Sequence, residues 1–254
     1  ILSIITVLGA LAVLGAGFFV LPLAGLALRT PWSELADRIA TPSVGEALRI
    51  SLVTSLGALV VATVIGVPLA WVLARADFPG KGMLRALCLP PVVGGVALLL
   101  AFGRRGLVGG PLYDLTGVTL PFSPAGVVLA QAFVAMPFLV VTVEAGLRSL
   151  DRRYEDVSAS LGAGGWTTFR RVTLPLLAPA LGAGMGLAWA RALGEFGATI
   201  TFAGNLPGRT QTMPLAVYLE LQTRPEVAIL LSLILLVVSA AVLLAVHGRF
   251  LRPR

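Results

Sequence analysis

Charge is scarce in this chain. Of 254 residues, 12% are Asp, Glu, Lys or Arg and 57% are hydrophobic, and the mean hydropathy is +0.94. A soluble domain carries about 25% charged residues. Half that supply cannot cover a water-facing surface, which argues against a soluble single-core enzyme. So much apolar surface also excludes disorder. Cysteine and histidine are nearly absent. A single cysteine, Cys88, rules out an intrachain disulfide and, inside an apolar run, reads as a small packing residue. His247 is the only histidine, at an expected helix end, so no Cys/His cluster offers a metal site. No Gly-x4-Gly-Lys-Ser/Thr loop is present to cradle a phosphate. Catalytic residues, a metal and a cofactor of its own are therefore not expected.

What the chain has is apolar length. Residues 1–28, 50–74, 86–103, 115–143, 172–190 and 227–246 contain no charged side chain. An α-helix rises about 1.5 Å per residue, so about 20 residues cross a hydrocarbon core of about 30 Å. The runs do not alternate as barrel strands would. The expected fold is all-α, a polytopic membrane protein of six transmembrane helices in one domain over 1–254. The spans fall near 4–28, 51–74, 84–102, 124–147, 173–199 and 227–247. The first run is long for a signal peptide and lacks a preceding basic segment, so it is taken as a span.

The connecting segments differ in charge. Segments 75–85, 148–171 and 247–254 hold eleven basic residues, whereas 29–49, 103–126 and 201–226 hold seven. The acidic residues widen the contrast in net charge to +7 against +1. The positive-inside rule places the first set, and both termini, in the cytoplasm. The net charge of +7 then needs no nucleic-acid partner. Several spans are interrupted: Pro90-Pro91 with Gly94-Gly95, then Pro137, then Pro175 and Pro179 followed by Gly182, Gly184 and Gly186. Proline frees carbonyls that neighbours must satisfy, and small residues let helices approach. Either these are packing features alone, or the bundle bends around a path. Leu89-Pro90 and Leu174-Pro175 form a weak internal echo.

The long loop 148–171 carries a short amphipathic helix. Asp151 is a candidate N-cap, with Glu155 and Asp156 early in the helix. Tyr154, Val157 and Leu161 share one face. Gly162 stops the helix, Gly164-Gly165 delays a restart, and Thr167 or Thr168 can cap the next one. The segment is either a solvated turn or a protrusion that fits a groove on a cytosolic partner.

Here the sequence resembles the inner-membrane subunits of binding-protein-dependent ABC importers. Their loop reads EAA, three residues, G, nine residues, I-x-L-P. Asp156-Val157-Ser158 stands at EAA, Gly162 at the glycine, Val172 at the isoleucine and Leu174-Pro175 at the final pair. Only the spacing, Gly162, Leu174 and Pro175 match strictly. The resemblance implies a type I ABC importer permease whose coupling helix docks on an ATPase subunit. Tyr154, Glu155, Asp156, Val157, Ser160, Leu161, Gly162 and Ala163 are its docking candidates. Which acid meets the ATPase, Glu155 or Asp156, stays open.

Arg191 and Glu195 lie four apart in the fifth span. Ionisable groups at membrane depth are costly and face the interior or a cavity; at this spacing they can pair. The pair either holds helices together or belongs to a pathway or gate, with the Thr199 and Thr201 hydroxyls beside it. A lone Glu195 would repel an anion in transit. The run 190–200, followed by Phe202 to Tyr218 with its Gly-Arg-Thr-Gln-Thr-x-Pro stretch, resembles the molybdate importer permeases more than the sulfate ones. That resemblance implies a homodimer in the cytoplasmic membrane, two ATPase subunits that supply ATP and Mg chemistry, and an external molybdate-binding protein. Asn205 and Arg209 are candidates for facing that protein. A secondary transporter driven by an ion gradient is the alternative from another class.

Overall fold

The computed structural model describes residues 2–34, 41–85 and 91–250. Asp37, Arg38, Cys88, Leu89, Pro90, Arg252 and Arg254 lie outside the described residues, as does the His247 side chain. Every described regular element is a helix. In chain order these are α1 (Leu2–Arg29), a 3-10 turn (Trp32–Glu34), α2 (Pro42–Arg75), α3 (Lys81–Arg85), α4 (Pro91–Phe102) and α5 (Gly109–Thr116). Then follow α6 (Pro124–Ser149), α7 (Arg153–Ser160), α8 (Gly165–Thr168), a π turn (Phe169–Thr173), α9 (Leu174–Leu193), α10 (Gly197–Phe202), α11 (Met213–Thr223) and α12 (Pro225–Phe250).

Among the described residues, five helical stretches are long and apolar enough to span a membrane: Val7–Arg29, Pro42–Arg75, Pro124–Ser149, Gly165–Leu193 and Pro225–Leu244. Of the expected third span, 84–102, residues 86–90 lie outside the described residues. Its described helix, α4, has 12 residues. After it the chain turns at Gly103. The expected fifth span, 173–199, is shifted. Its helix begins at Gly165 and stops at Leu193.

The core is a three-helix packing of small residues. Ala58, Ala62 and Ala70 of α2 meet Ala132 and Ala135 of α6 and Ala188 and Ala192 of α9, all essentially inaccessible. Without a hydrophobic force between helices in lipid, close approach and dispersion supply the attraction. The direction of each helix follows from its contacts. Gly57 faces Val128 and Gly66 faces Met136 and Val140, so α2 and α6 run parallel. Gly146 faces Leu177 and Ala180 while Gly184 faces Leu139 and Thr142, so α9 runs antiparallel to α6. One end of the bundle therefore gathers Arg75, Leu147 and the α7 region. By contrast, α1 exposes nearly all of residues 7–23 and packs against α12.

The short α4 is held by glycine. Gly94 lies against the Phe133 ring, and Gly95 lies against Ala198 and Thr201 of α10. A Cβ on Gly95 would fall onto Thr201 Oγ1 and the Ala198 backbone. Replacing Gly95 by Val should destabilise the protein by about 1–3 kcal/mol, the usual cost of overpacking. Gly45→Ala, at a helical site with open space around it, should be neutral or raise Tm. Thermal unfolding in detergent checks both.

Candidate functional site

The segment joining α6 to α9 builds the first candidate site. Asp151 Oδ1 accepts the Arg153 N–H at 3.0 Å, and Glu155 and Asp156 occupy the first turn of α7, where the helix dipole favours negative charge. The helix closes at Gly162, whose φ of 82° lies in the left-handed region and suits glycine. The chain then restarts sooner than expected. Gly164, in an extended conformation, stands at the N-cap of α8, and neither Thr167 nor Thr168 caps it. Glycine serves there because it adopts the cap conformation freely. Thr168 is buried inside the new helix, with its Oγ1 2.9 Å from Ser158 Oγ.

Tyr154, Val157 and Leu161 are 58%, 59% and 83% exposed. They form one apolar face of α7 that the chain leaves uncovered. Asp156 and Ser160 are exposed as well, and Ala163 is half-buried. Glu155 turns the other way. Its Oε1 accepts from Arg75 Nη2 at 3.0 Å and from Thr173 Oγ1 at 2.9 Å. Behind α7 lies a groove of about 710 Å³ walled by Val67, Trp71, Ala159, Trp166 and Phe169, with Glu155 and Asp156 at its edge. Beyond Arg75, Lys81 Nζ donates to the Ala76 carbonyl at 2.6 Å and to Asp77 at 2.9 Å. That bond to Lys81 holds the exposed Asp77 carboxyl below its usual range.

The π turn has a local cause. Pro175 has no N–H to give to the carbonyl four residues back, and its ring crowds that carbonyl. Widening the turn over Phe169–Thr173 accommodates the proline while the helix continues.

The second candidate site is the break after α9. Arg191 Nη2 lies 2.6 Å from Glu195 Oε2, with the carboxylate fully buried and the guanidinium 26% exposed. The approach is an ion-pair contact rather than an aligned hydrogen bond. The i, i+4 pair forms although the helix ends between its members, at Gly194. Glu195 Oε1 has a second task that spacing did not reveal: it accepts the Ala198 N–H at 2.8 Å and so caps α10. Thr199 is buried with an unpartnered Oγ1, whereas Thr201 Oγ1 donates to the Gly197 carbonyl at 2.9 Å. Phe196 packs on Tyr218 with ring centroids 5.0 Å apart.

At the opposite end from α7, residues 203–212 form a turn over the start of α2. Arg209 is exposed and Asn205 half-buried, and Gly208 lies beside Glu46. Thr210, Gln211 and Thr212 are buried. Thr210 Oγ1 accepts from the Leu206 N–H at 3.0 Å, and Ser51 Oγ accepts from the Met213 N–H at 2.6 Å. Thr210 thus closes the loop on itself, and the Met213 N–H fastens its end to α2.

The sequence model of the binding-protein-dependent transport system inner membrane component matches residues 66–254. The chain belongs to this family. Among transport components it is similar to the Molybdenum transport system permease protein ModB of Mycobacterium tuberculosis, at 47% identity over 243 residues, covering 94% of this chain and 92% of that one. It is 36% identical over 210 residues to the Sulfate transport system permease protein CysT of Escherichia coli, covering 80% and 76%. Its fold matches a chain in the crystal structure of a bacterial alginate ABC transporter in complex with an alginate pentasaccharide-bound periplasmic protein. The TM-score is 0.76 at 15% identity, covering 95% of this chain and 93% of that one. The chain is thus a multi-pass inner-membrane transport component with the ABC permease fold.

In this permease the sequence located both candidate sites but missed their partners. Arg75 and Thr173 reach Glu155 from 80 and 18 residues away, and Ser51 reaches Met213 across 162. Arg75 ends an apolar run, which marks a boundary but not a partner. The Arg191–Glu195 geometry also generates a test. Arg191→Ala strands a buried carboxylate and should cost about 3 kcal/mol or more. Adding Glu195→Gln keeps an acceptor for the Ala198 N–H and should recover most of that loss in Tm. A double variant that folds well yet transports nothing assigns the pair to the pathway.

Proposed function

We propose that this chain is the permease subunit of an ATP-driven ABC importer that carries molybdate across the cytoplasmic membrane. Two copies assemble with two cytosolic ATPase subunits, which hold ATP and Mg, and receive the oxyanion from an external binding protein. Both termini and the α7 segment face the cytoplasm, following the basic residues. The observation that carries the cargo is 47% identity to the molybdenum permease along 94% of the chain.

The mechanism follows from the two sites. The uncovered apolar face of Tyr154, Val157 and Leu161, flanked by Asp156, Ser160, Gly162 and Ala163, is the surface that enters a cleft on the ATPase. Burial of such a face on a partner also fixes a helix too short to be stable alone. ATP-driven closure of the ATPases moves α7, and the interrupted helices α4, α9 and α10 rearrange to open the path alternately to each side. Arg191 neutralises Glu195, so the break after α9 presents no net negative charge to a passing dianion. Thr199 and Thr201 lie beside that break. Asn205 and Arg209, at the far end, meet the binding protein. Sulfate is the second reading, supported by 36% identity to a sulfate permease.

Labelled molybdate uptake tests this in cells lacking their own importer and supplied with this chain, its ATPase and its binding protein. Uptake that excess sulfate leaves unchanged is expected; suppression by sulfate moves the cargo to sulfate. In the same cells Gly162→Val should abolish uptake. No atom lies near a Cβ there, so the penalty comes from forcing a β-branched residue to positive φ, which misdirects the end of α7. Gly162→Asn should retain most activity.

A further inference from the structure

We propose that Glu155 is a positioning residue through which the docked α7 moves the membrane helices. With Arg75 and Thr173 it forms a latch separate from the surface that meets the ATPase. The proposal rests on the docking reading above and divides the two neighbouring acids between tasks, Asp156 exposed for the partner and Glu155 held by Arg75 and Thr173.

The need for a latch comes from α7 itself. It has eight residues, none of them buried. An isolated helix of that length is marginal, and no packed core fixes its angle. Its orientation depends on polar anchors. Among the described residues there are two, Glu155 with Arg75 and Thr173, and Ser158 with Thr168. One anchor leaves a pivot; two fix a lever. The Ser158 anchor reaches one membrane helix, at Thr168 in the first turn of the fifth span. The Glu155 anchor reaches two membrane helices at once, the last residue of α2 and the last residue of the π turn that leads into α9.

Thr173 is turned from its ordinary bond to make this contact. Thr54, Thr63 and Thr142, in the spans α2 and α6, each donate to the carbonyl four residues back. Thr173 instead donates to Glu155. Arg75 is nearly enclosed, at 12% side-chain exposure, and its Nε is buried without an acceptor. Glu155 is therefore the anionic anchor of that guanidinium among the described residues. Removing the carboxylate would leave a largely buried charge uncompensated. Glu155, Asp156 and Ala159 all line the groove behind α7, but of the two acids it is Glu155 that Arg75 and Thr173 hold, while Asp156 is exposed. Docking and transmission thus use different side chains of one helix, and α2 and α6 are packed in parallel from Gly57 to Leu73. A displacement of α7 is handed to the bundle core through Arg75.

The test uses the complete complex of permease, ATPase subunits and binding protein in lipid nanodiscs and vesicles. Spin labels at Val64→Cys and Arg152→Cys, in a Cys88→Ser background, report the distance between α2 and the start of α7. The expected result is one distance, the same with and without ATP. Glu155→Gln and Glu155→Arg should broaden it on ATP addition and lower molybdate carried per ATP about tenfold, with the ATPase subunits still co-purifying. The exchange Arg75→Glu with Glu155→Arg should restore both readings. A wild-type distance that changes with ATP overturns the latch, and so does Glu155→Gln with normal transport per ATP. Loss of the ATPase subunits in Glu155→Gln also overturns it, by making Glu155 a docking residue. The docking reading itself fails separately, if Asp156→Arg and Leu161→Asp leave ATPase binding intact.

Discussion

A hydrocarbon core about 30 Å thick accepts neither an unpaired charge nor an unsatisfied backbone, and the whole chain is arranged under that constraint. Charge is confined to helix ends, where Arg29, Arg75 and Arg148 stand in the last turns of α1, α2 and α6. Where charge enters the bundle it is matched. Glu195 is fully buried because Arg191 lies beside it and because its other oxygen caps α10. A break in a membrane helix exposes backbone donors, and here a carboxylate takes one of them. The same group that permits the break therefore needs the arginine.

Attraction between the helices comes from closeness. Alanines and glycines line the contacts of α2, α6 and α9, and glycines alone allow α4 to reach α10. Tight small-residue packing favours helices that shift as rigid bodies over helices that deform. Deformation is left to a few places: the π turn before Pro175, the stop at Gly194 and the short α4. In the proposed mechanism these are the places that rearrange.

Much of the architecture was legible in the sequence because membrane spans are written locally. A charge-free run announces a helix, its flanking arginines announce the ends, and Gly162 announces a stop. The shared face of Tyr154, Val157 and Leu161 follows from spacing alone and is exposed. In the run at 86–103 the described helix begins at Pro91 and ends at Phe102 before Gly103. The restart at Gly165 was missed because glycine breaks a helix interior yet serves well at its N-cap. What joins distant segments was not legible. Nothing near Arg75 names Glu155, and nothing near Ser51 names Met213. Gly95 looks like any small residue until Thr201 is placed against it.

The central claim is that movement of the bundle is driven through α7 by a docked ATPase. The most direct measurement is molybdate uptake into proteoliposomes holding the complete complex, with ATP supplied to the ATPase side and all ion gradients collapsed by ionophores. Uptake that continues at full rate, and stops when ATP is replaced by a non-hydrolysable analogue, is the predicted result. Uptake that persists without ATP but vanishes with the gradients would contradict the account.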